Sequence, residues 1–298
     1  MDESDPLRVQ IASNPHSPDR VRKRGLSTLV LIVARYPPPM CGRIVQATSP
    51  EEIAREFGAD LSVALRESLS TPAPGDTSLI RAGWYPRWNM APSSRALVIA
   101  PYRGERGEGR QLGYGSWGLI PHWQKARTTR VSGLFNARAE TVAMLPSFRD
   151  AFRTGRVLVP IDAFYEWENP EHLAELGRPI GKREPKQPWA YLPSTGGRFA
   201  LGGIATEHEG VTTFSLITTQ ANSVVGRIHD RMPVMLRDDA ARAAWLDAGT
   251  HLDDVAGLLG PSPDTYLVPR RVSRLVSNAR NEGPECLAEA GVEGLGLV

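Results

Sequence analysis

The chain has 298 residues, with 35 Lys and Arg against 33 Asp and Glu, long enough to bury a substantial core as one large domain or two small ones. The whole excess of +2 sits in residues 1–40, where Arg8, Arg20, Arg22, Lys23, Arg24 and Arg35 outnumber Asp2, Glu3, Asp5 and Asp19; the balanced remainder excludes a global positive field and leaves any nucleic-acid contact to a local patch. The two cysteines, Cys41 and Cys286, make no disulfide framework and no Cys/His cluster has zinc-ligand spacing, and no apolar run approaches the roughly 18 residues of a membrane span, so the expectation is a cytoplasmic protein without metal, cofactor or membrane.

Residues 1–40 carry a basic stretch up to Arg24, an apolar run Leu26–Ala34 and Pro37-Pro38-Pro39. They faintly imitate a secretory signal but offer no convincing cleavage site. They read as a disordered extension, a removable leader or a start codon assigned too far upstream. Met40-Cys41-Gly42-Arg43 then looks like the beginning of a protein. If Met40 were removed, Cys41 would carry a free α-amine beside its thiol, two nucleophiles that can both bond one aldehyde carbon.

Beyond Cys41 the pattern is many short strands and few helices. A short strand is predicted at Arg43–Ala47, followed by a helix with Ser49 as N-cap, Pro50 at its first position and an end near Gly58. Residues 59–87 are mixed and Pro-rich. Strands are predicted at Ala96–Ala100, Leu112–Leu119, Val157–Ile161, Phe164–Trp167, Trp189–Leu192, Phe199–Ala205 and Thr212–Thr218, each rich in β-branched or aromatic residues. Glu168–Gln187 reads as a long hairpin insertion, and Asp238–Ala248 and Leu252–Leu259 as short helices. The fold class is therefore α+β: a single compact domain with a mostly antiparallel, barrel-like sheet core and short flanking helices.

Four groups could carry chemistry. Cys41 is either a small buried hydrophobe or a nucleophile. In Phe135-Asn136-Ala137-Arg138-Ala139-Glu140-Thr141, Asn136 either caps a helix, with Arg138 in solvent, or belongs to a polar site. In Phe164-Tyr165-Glu166-Trp167, strand alternation sends Glu166 to the face opposite Tyr165 and Trp167, as an exposed residue or as a general base raised by burial. In Arg227-Ile228-His229-Asp230-Arg231, His229 is either structural or a proton shuttle.

Taken in order, Cys41-Gly42-Arg43, Trp88-Asn89-Met90-Ala91-Pro92, Trp117-Gly118-Leu119-Ile120-Pro121, Asn136–Thr141, Phe164–Trp167 and Ile228–Pro233, with Val272-Ser273 and Asn278, resemble the SOS response-associated peptidase (SRAP) family of abasic-site-processing proteins. The resemblance covers about Cys41 to Leu287. It implies an SRAP-like domain over 41–290 with a C-terminal tail at 291–298. It further implies binding to single-stranded DNA containing abasic sites, without membrane association, by a monomer. By the same resemblance Cys41 forms a thiazolidine with the ring-opened sugar, Asn136 positions that sugar, Glu166 orients and deprotonates the amine, and His229 serves ring opening and crosslink reversal. Self-processing by the thiol belongs to the same family picture. For phosphate contact the choices are Arg43, Arg138 and Arg231, with Gly42 beside the nucleophile. Trp123 is either a stacking platform or core.

Three other readings compete. An N-terminal-nucleophile amidohydrolase also begins Met-Cys-Gly, but leaves the Glu166 and His229 blocks without a role. A Cys/His/Asn thiol protease uses the same residue types. A non-catalytic single-strand-binding module results if the Cys41 amine stays acylated.

Overall fold

The computed structural model describes residues 41–70, 84–104, 107–124, 133–181 and 184–290. All of them belong to one unit, Pro37–Val298. Residues 1–40 and the tail 291–298 lie outside the described residues.

The chain begins its described course with β1 (Arg43–Gln46), α1 (Pro50–Phe57), β2 (Ala59–Leu61), α2 (Val63–Ser70), β3 (Arg87–Met90), β4 (Arg95–Gly104), β5 (Gly107–Trp117) and β6 (Asn136–Arg138). It continues with α3 (Arg149–Thr154), β7 (Arg156–Ile161), β8 (Ala163–Trp167), α4 (Pro170–Glu175), β9 (Pro188–Pro193), β10 (Phe199–His208) and β11 (Val211–Gln220). Last come β12 (Arg231–Pro233), α5 (Asp239–Leu246), α6 (Leu252–Gly257) and β13 (Leu267–Arg271).

Helix α1 forms as its sequence dictates. The Ser49 hydroxyl accepts from the Glu52 N–H, Pro50 opens the first turn, and Gly58 ends the helix at φ 58°, a left-handed conformation that glycine adopts without a Cβ penalty. Ile53, Ala54 and Phe57 form its buried face.

Two sheets organise the rest. The first is fully antiparallel in the order β13-β9-β8-β1-β3. The second runs β12-β11-β10-β7-β4-β5-β2, and β5 pairs back onto β11 through Thr213↔Ser116 and Phe214↔Trp117. That last pairing closes β11-β10-β7-β4-β5 into a barrel, a closure that removes open sheet edges. Helices α1, α2, α3, α5 and α6 share one apolar cluster with Leu97, Ile99, Leu112 and Leu158 of the barrel strands. The opposite faces of those strands, Val98, Trp117, Val159, Phe214 and Leu216 among them, pack with Ile44 and Phe164 of the first sheet.

Strands β4 and β7 meet at Ile99↔Leu158, and a buried glutamine joins both to the first sheet. The Gln46 amide donates to Leu97 O and Pro160 O and accepts from the Leu97 N–H. Pro160 has no N–H to offer a neighbouring strand. The side-chain amide thus satisfies carbonyls on both strands that would otherwise be buried without partners.

Candidate functional site

Cys41 sits one residue short of β1, across Gly42, with φ 47°, uncommon for a residue with a Cβ. Its backbone N–H donates to Glu166 Oε1 at 2.7 Å. The antiparallel register Arg43↔Tyr165 and Ile44↔Phe164 places the start of β1 beside the end of β8, where Glu166 lies. Alternation along β8 then does what the sequence pattern requires. Tyr165 and Trp167 pack on one face with Val45, while Phe164 packs on the other with Cys41.

Both members of the pair are buried, Cys41 at 0% exposure and Glu166 at 3%. Burial pushes the Glu166 carboxyl up to about 8; the Cys41 N–H pulls the other way and the Asp230 charge adds to the rise. Burial, with Glu166 adding, pushes the Cys41 thiol well above its ordinary value. At neutral pH the site therefore holds an S–H, not a thiolate.

Asn136 opens β6, which pairs in parallel with β11 through Leu216↔Asn136 and Thr218↔Arg138. The alternative of a helix capped by Asn136 is not what forms. The chain turns only after the strand, through Thr141 and Val142 N–H bonds to Arg138 O. Phe135, the residue before Asn136, packs against the apolar cluster to which Cys41 belongs. Arg138 is exposed.

His229 follows a single helical turn, Val225–Arg227, and its own N–H bonds Val225 O. The residue is 7% exposed. Burial lowers its titration below the ordinary value, although Asp230 opposes the change, so the ring is mostly neutral at pH 7. Nδ1 accepts from the Arg231 N–H at 3.1 Å and lies 3.1 Å from Asp230 Oδ1. Neutral His229 therefore carries its proton on Nε2, and Asp230 is placed to pair with Nδ1 when the ring charges.

The arginines chosen for phosphate contact lie in different settings. Arg231 grips Glu140 through both terminal nitrogens and also donates to Thr218 O, and this pairing holds the Glu140 carboxyl below its usual range. Arg43 donates to Asn89 Oδ1 at 2.7 Å and Val276 O at 2.9 Å while lying over the Trp167 ring. Gly42 is half-buried beside Cys41. Trp123 is 58% exposed, so it is not core.

Sequence reasoning did not single out two donors on the face of Glu166. Trp189 pairs directly across from Glu166, and Tyr191 pairs with Phe164 and stacks on it at 4.9 Å. Among the described residues neither Trp189 Nε1 nor the Tyr191 hydroxyl has a hydrogen-bond partner. Nor did the sequence reveal Asn89 as a clasp, whose amide donates to Val276 O, Asn278 O and Asn281 O. Among the described residues no cluster of His, Cys, Asp or Glu could hold a metal ion.

The fold is a barrel packed against a second antiparallel sheet, with a buried cysteine whose main-chain nitrogen is held by a buried carboxyl. The chain belongs to the SOS response associated peptidase (SRAP) family, whose profile matches residues 40–279. Among its relatives, the abasic site processing protein YoqW of Bacillus subtilis is 30% identical over 83% of this chain and 99% of its own length. YedK of Escherichia coli, which bears the same description, is 28% identical over 83% of this chain and 99% of its own length. In fold, the chain matches a crystal structure of a protein from Bacteroides thetaiotaomicron with a TM-score of 0.64 at 21% identity, over 84% of this chain and 100% of the other.

Proposed function

We propose that this chain processes abasic sites in single-stranded DNA by forming a thiazolidine crosslink through Cys41 once the Cys41 α-amine is free. The observation that carries the proposal is the 2.7 Å contact between the Cys41 nitrogen and Glu166 Oε1. A carboxyl titrating near 8 is poised to exchange a proton with an amine whose ordinary value is about 7.8. The relatives named above are described as abasic site processing proteins.

Freeing the amine is the enabling step, by removal of Met40 as an initiator or by cleavage of the Met40–Cys41 bond with help from the Cys41 thiol. The sugar of an abasic site then opens as a proton reaches its ring oxygen and its hydroxyl proton leaves, a relay suited to His229, giving the aldehyde. The neutral amine adds to the aldehyde carbon, and loss of water leaves the imine. The Cys41 sulfur closes onto the same carbon, its proton passing to the nitrogen, to complete the five-membered ring. Asn136 holds the opened sugar by hydrogen bonds, and reversal follows the same steps backward with His229 and Glu166 returning protons. Arg43, Arg138 and Arg231 take phosphates, Gly42 lets the backbone approach, and Trp123 stacks on a base. The active species is a monomer.

The test mixes protein beginning at Cys41 with a single-stranded oligonucleotide carrying one abasic site and looks for a heat-stable shifted band. Cys41→Ala should abolish the band; a band that persists sinks the proposal. Release of ammonia from glutamine would point instead to an amidohydrolase.

A further inference from the structure

The connection between β8 and β9 does more than join two strands. It leaves β8 directly after Trp167 and reaches three consecutive carbonyls of the turn that carries His229. His172 Nε2 bonds Gly226 O at 2.6 Å, Arg178 Nη1 bonds Arg227 O at 3.2 Å, and the Asn169 N–H bonds Ile228 O at 3.0 Å. Facing a carbonyl, the His172 ring must carry its proton on Nε2. The donors are themselves fixed. The Asn169 side chain caps α4 by accepting from the Glu171 and His172 N–H groups, Leu173 is buried, and the Arg178 N–H returns to Leu173 O. The far end of the connection is pinned to β8, because Glu168 and Gln187 exchange hydrogen bonds.

We propose that residues 169–178 form a brace that fixes His229 relative to Glu166, with the His172 ring as its principal contact and a positioning residue for the reaction. Two features of the chain path support this. Glu166 and Asn169 are three residues apart, and the Asn169 N–H holds the carbonyl of the residue before His229, so the brace is a short structural link between the two groups. The turn has internal bonds of its own, from the Gly226 N–H to Asn222 O and the His229 N–H to Val225 O. Those set its local shape but not its distance from β8.

The inference rests on the role given to His229 above, and its test is built to stand apart from that role. Asp230 lies against the His229 ring, and the charges of His172 and Lys186 also act on it. His172→Ala and His172→Gln both remove the neighbouring imidazole, but only glutamine keeps a donor for Gly226 O. The difference between the two variants therefore reports the brace alone.

In the full chain, the His229 ring is followed by NMR against pH. A loosened turn admits water, so His172→Ala should raise the midpoint above that of His172→Gln by about half a pH unit or more. Arg178→Ala should give a smaller rise. Equal midpoints for the alanine and glutamine variants overturn the brace. With the matured chain and saturating abasic oligonucleotide, His172→Ala should slow crosslinking on the order of 10-fold without changing DNA affinity, and His172→Gln should restore the rate. Loss of affinity with an unchanged rate also overturns it. Absence of any crosslink with the wild-type chain would count against the functional reading, and the ring titration would still decide the brace.

Discussion

Glu166 and His229 titrate in opposite senses, and each leaves a signature on stability. Burial holds the Glu166 carboxyl near 8, against about 4.3 in an unfolded chain. Its favourable contribution is complete below the unfolded value and is lost as pH rises through the folded one. Glu166→Gln should therefore flatten the dependence: between pH 5.5 and 8.5 the urea midpoint of the variant should fall less than that of the wild type. His229 is lowered by burial, so its contribution is present above about 6.5 and is lost as pH falls below that value. Alternation along Phe164–Trp167 made it legible that Glu166 lies opposite Tyr165 and Trp167, but not that its face is buried. Nor was the contact with Cys41 legible, because it depends on how β1 registers against β8. Trp189 and Tyr191 come to the same face from beyond a 20-residue connection, so no local spacing reveals them.

At the scale of elements, buried polar side chains do the joining. Arg156 is 2% exposed and donates to Trp245 O, Phe152 O and Arg153 O. These carbonyls lie at the C-terminal ends of α5 and α3, where the helices leave acceptors unmet. Arg156→Met should cost about 3 kcal/mol, read as a drop in urea midpoint with an unchanged slope. Asn89→Ala should free the segment it clasps, so that trypsin cuts at Arg274 or Arg280 under conditions where the wild type stays intact. Long strands and the capped helix α1 were legible because their patterns are local. Strands β6 and β12, three residues each, were not, since they exist only by pairing with β11. Strand β13 contains Pro-Arg-Arg, which reads as loop until β9 supplies its partner, and α4 is a single capped turn and a half inside a polar stretch.

For the molecule as a whole, the proposed function and the balanced charge together assign DNA affinity to a few arginines. Three phosphate contacts to a single strand predict a slope of about −2 in a plot of log affinity against log salt. Arg138→Ala should make that slope shallower by about 0.7. If Arg231 takes a phosphate as proposed, it gives up Glu140 to do so, and Glu140→Gln should strengthen binding; weaker binding would remove Arg231 from the contact set. The barrel-like architecture followed from the run of short strands. Its closure did not, because the β5–β11 contact is a parallel pairing between strands about a hundred residues apart in sequence.

The two cysteines have 0% exposure and lie in separate apolar clusters on either side of the first sheet, Cys41 with Phe164 and Cys286 with Tyr165. To a bulky thiol reagent the native protein presents no target, and each sulfur becomes available only when its own side of the sheet opens. Mass-resolved labelling over time would then act as a pair of clocks. One runs with opening of the face that packs on the barrel, the other with detachment of the segment that carries Val276 and Cys286, and their ratio says which side breathes first.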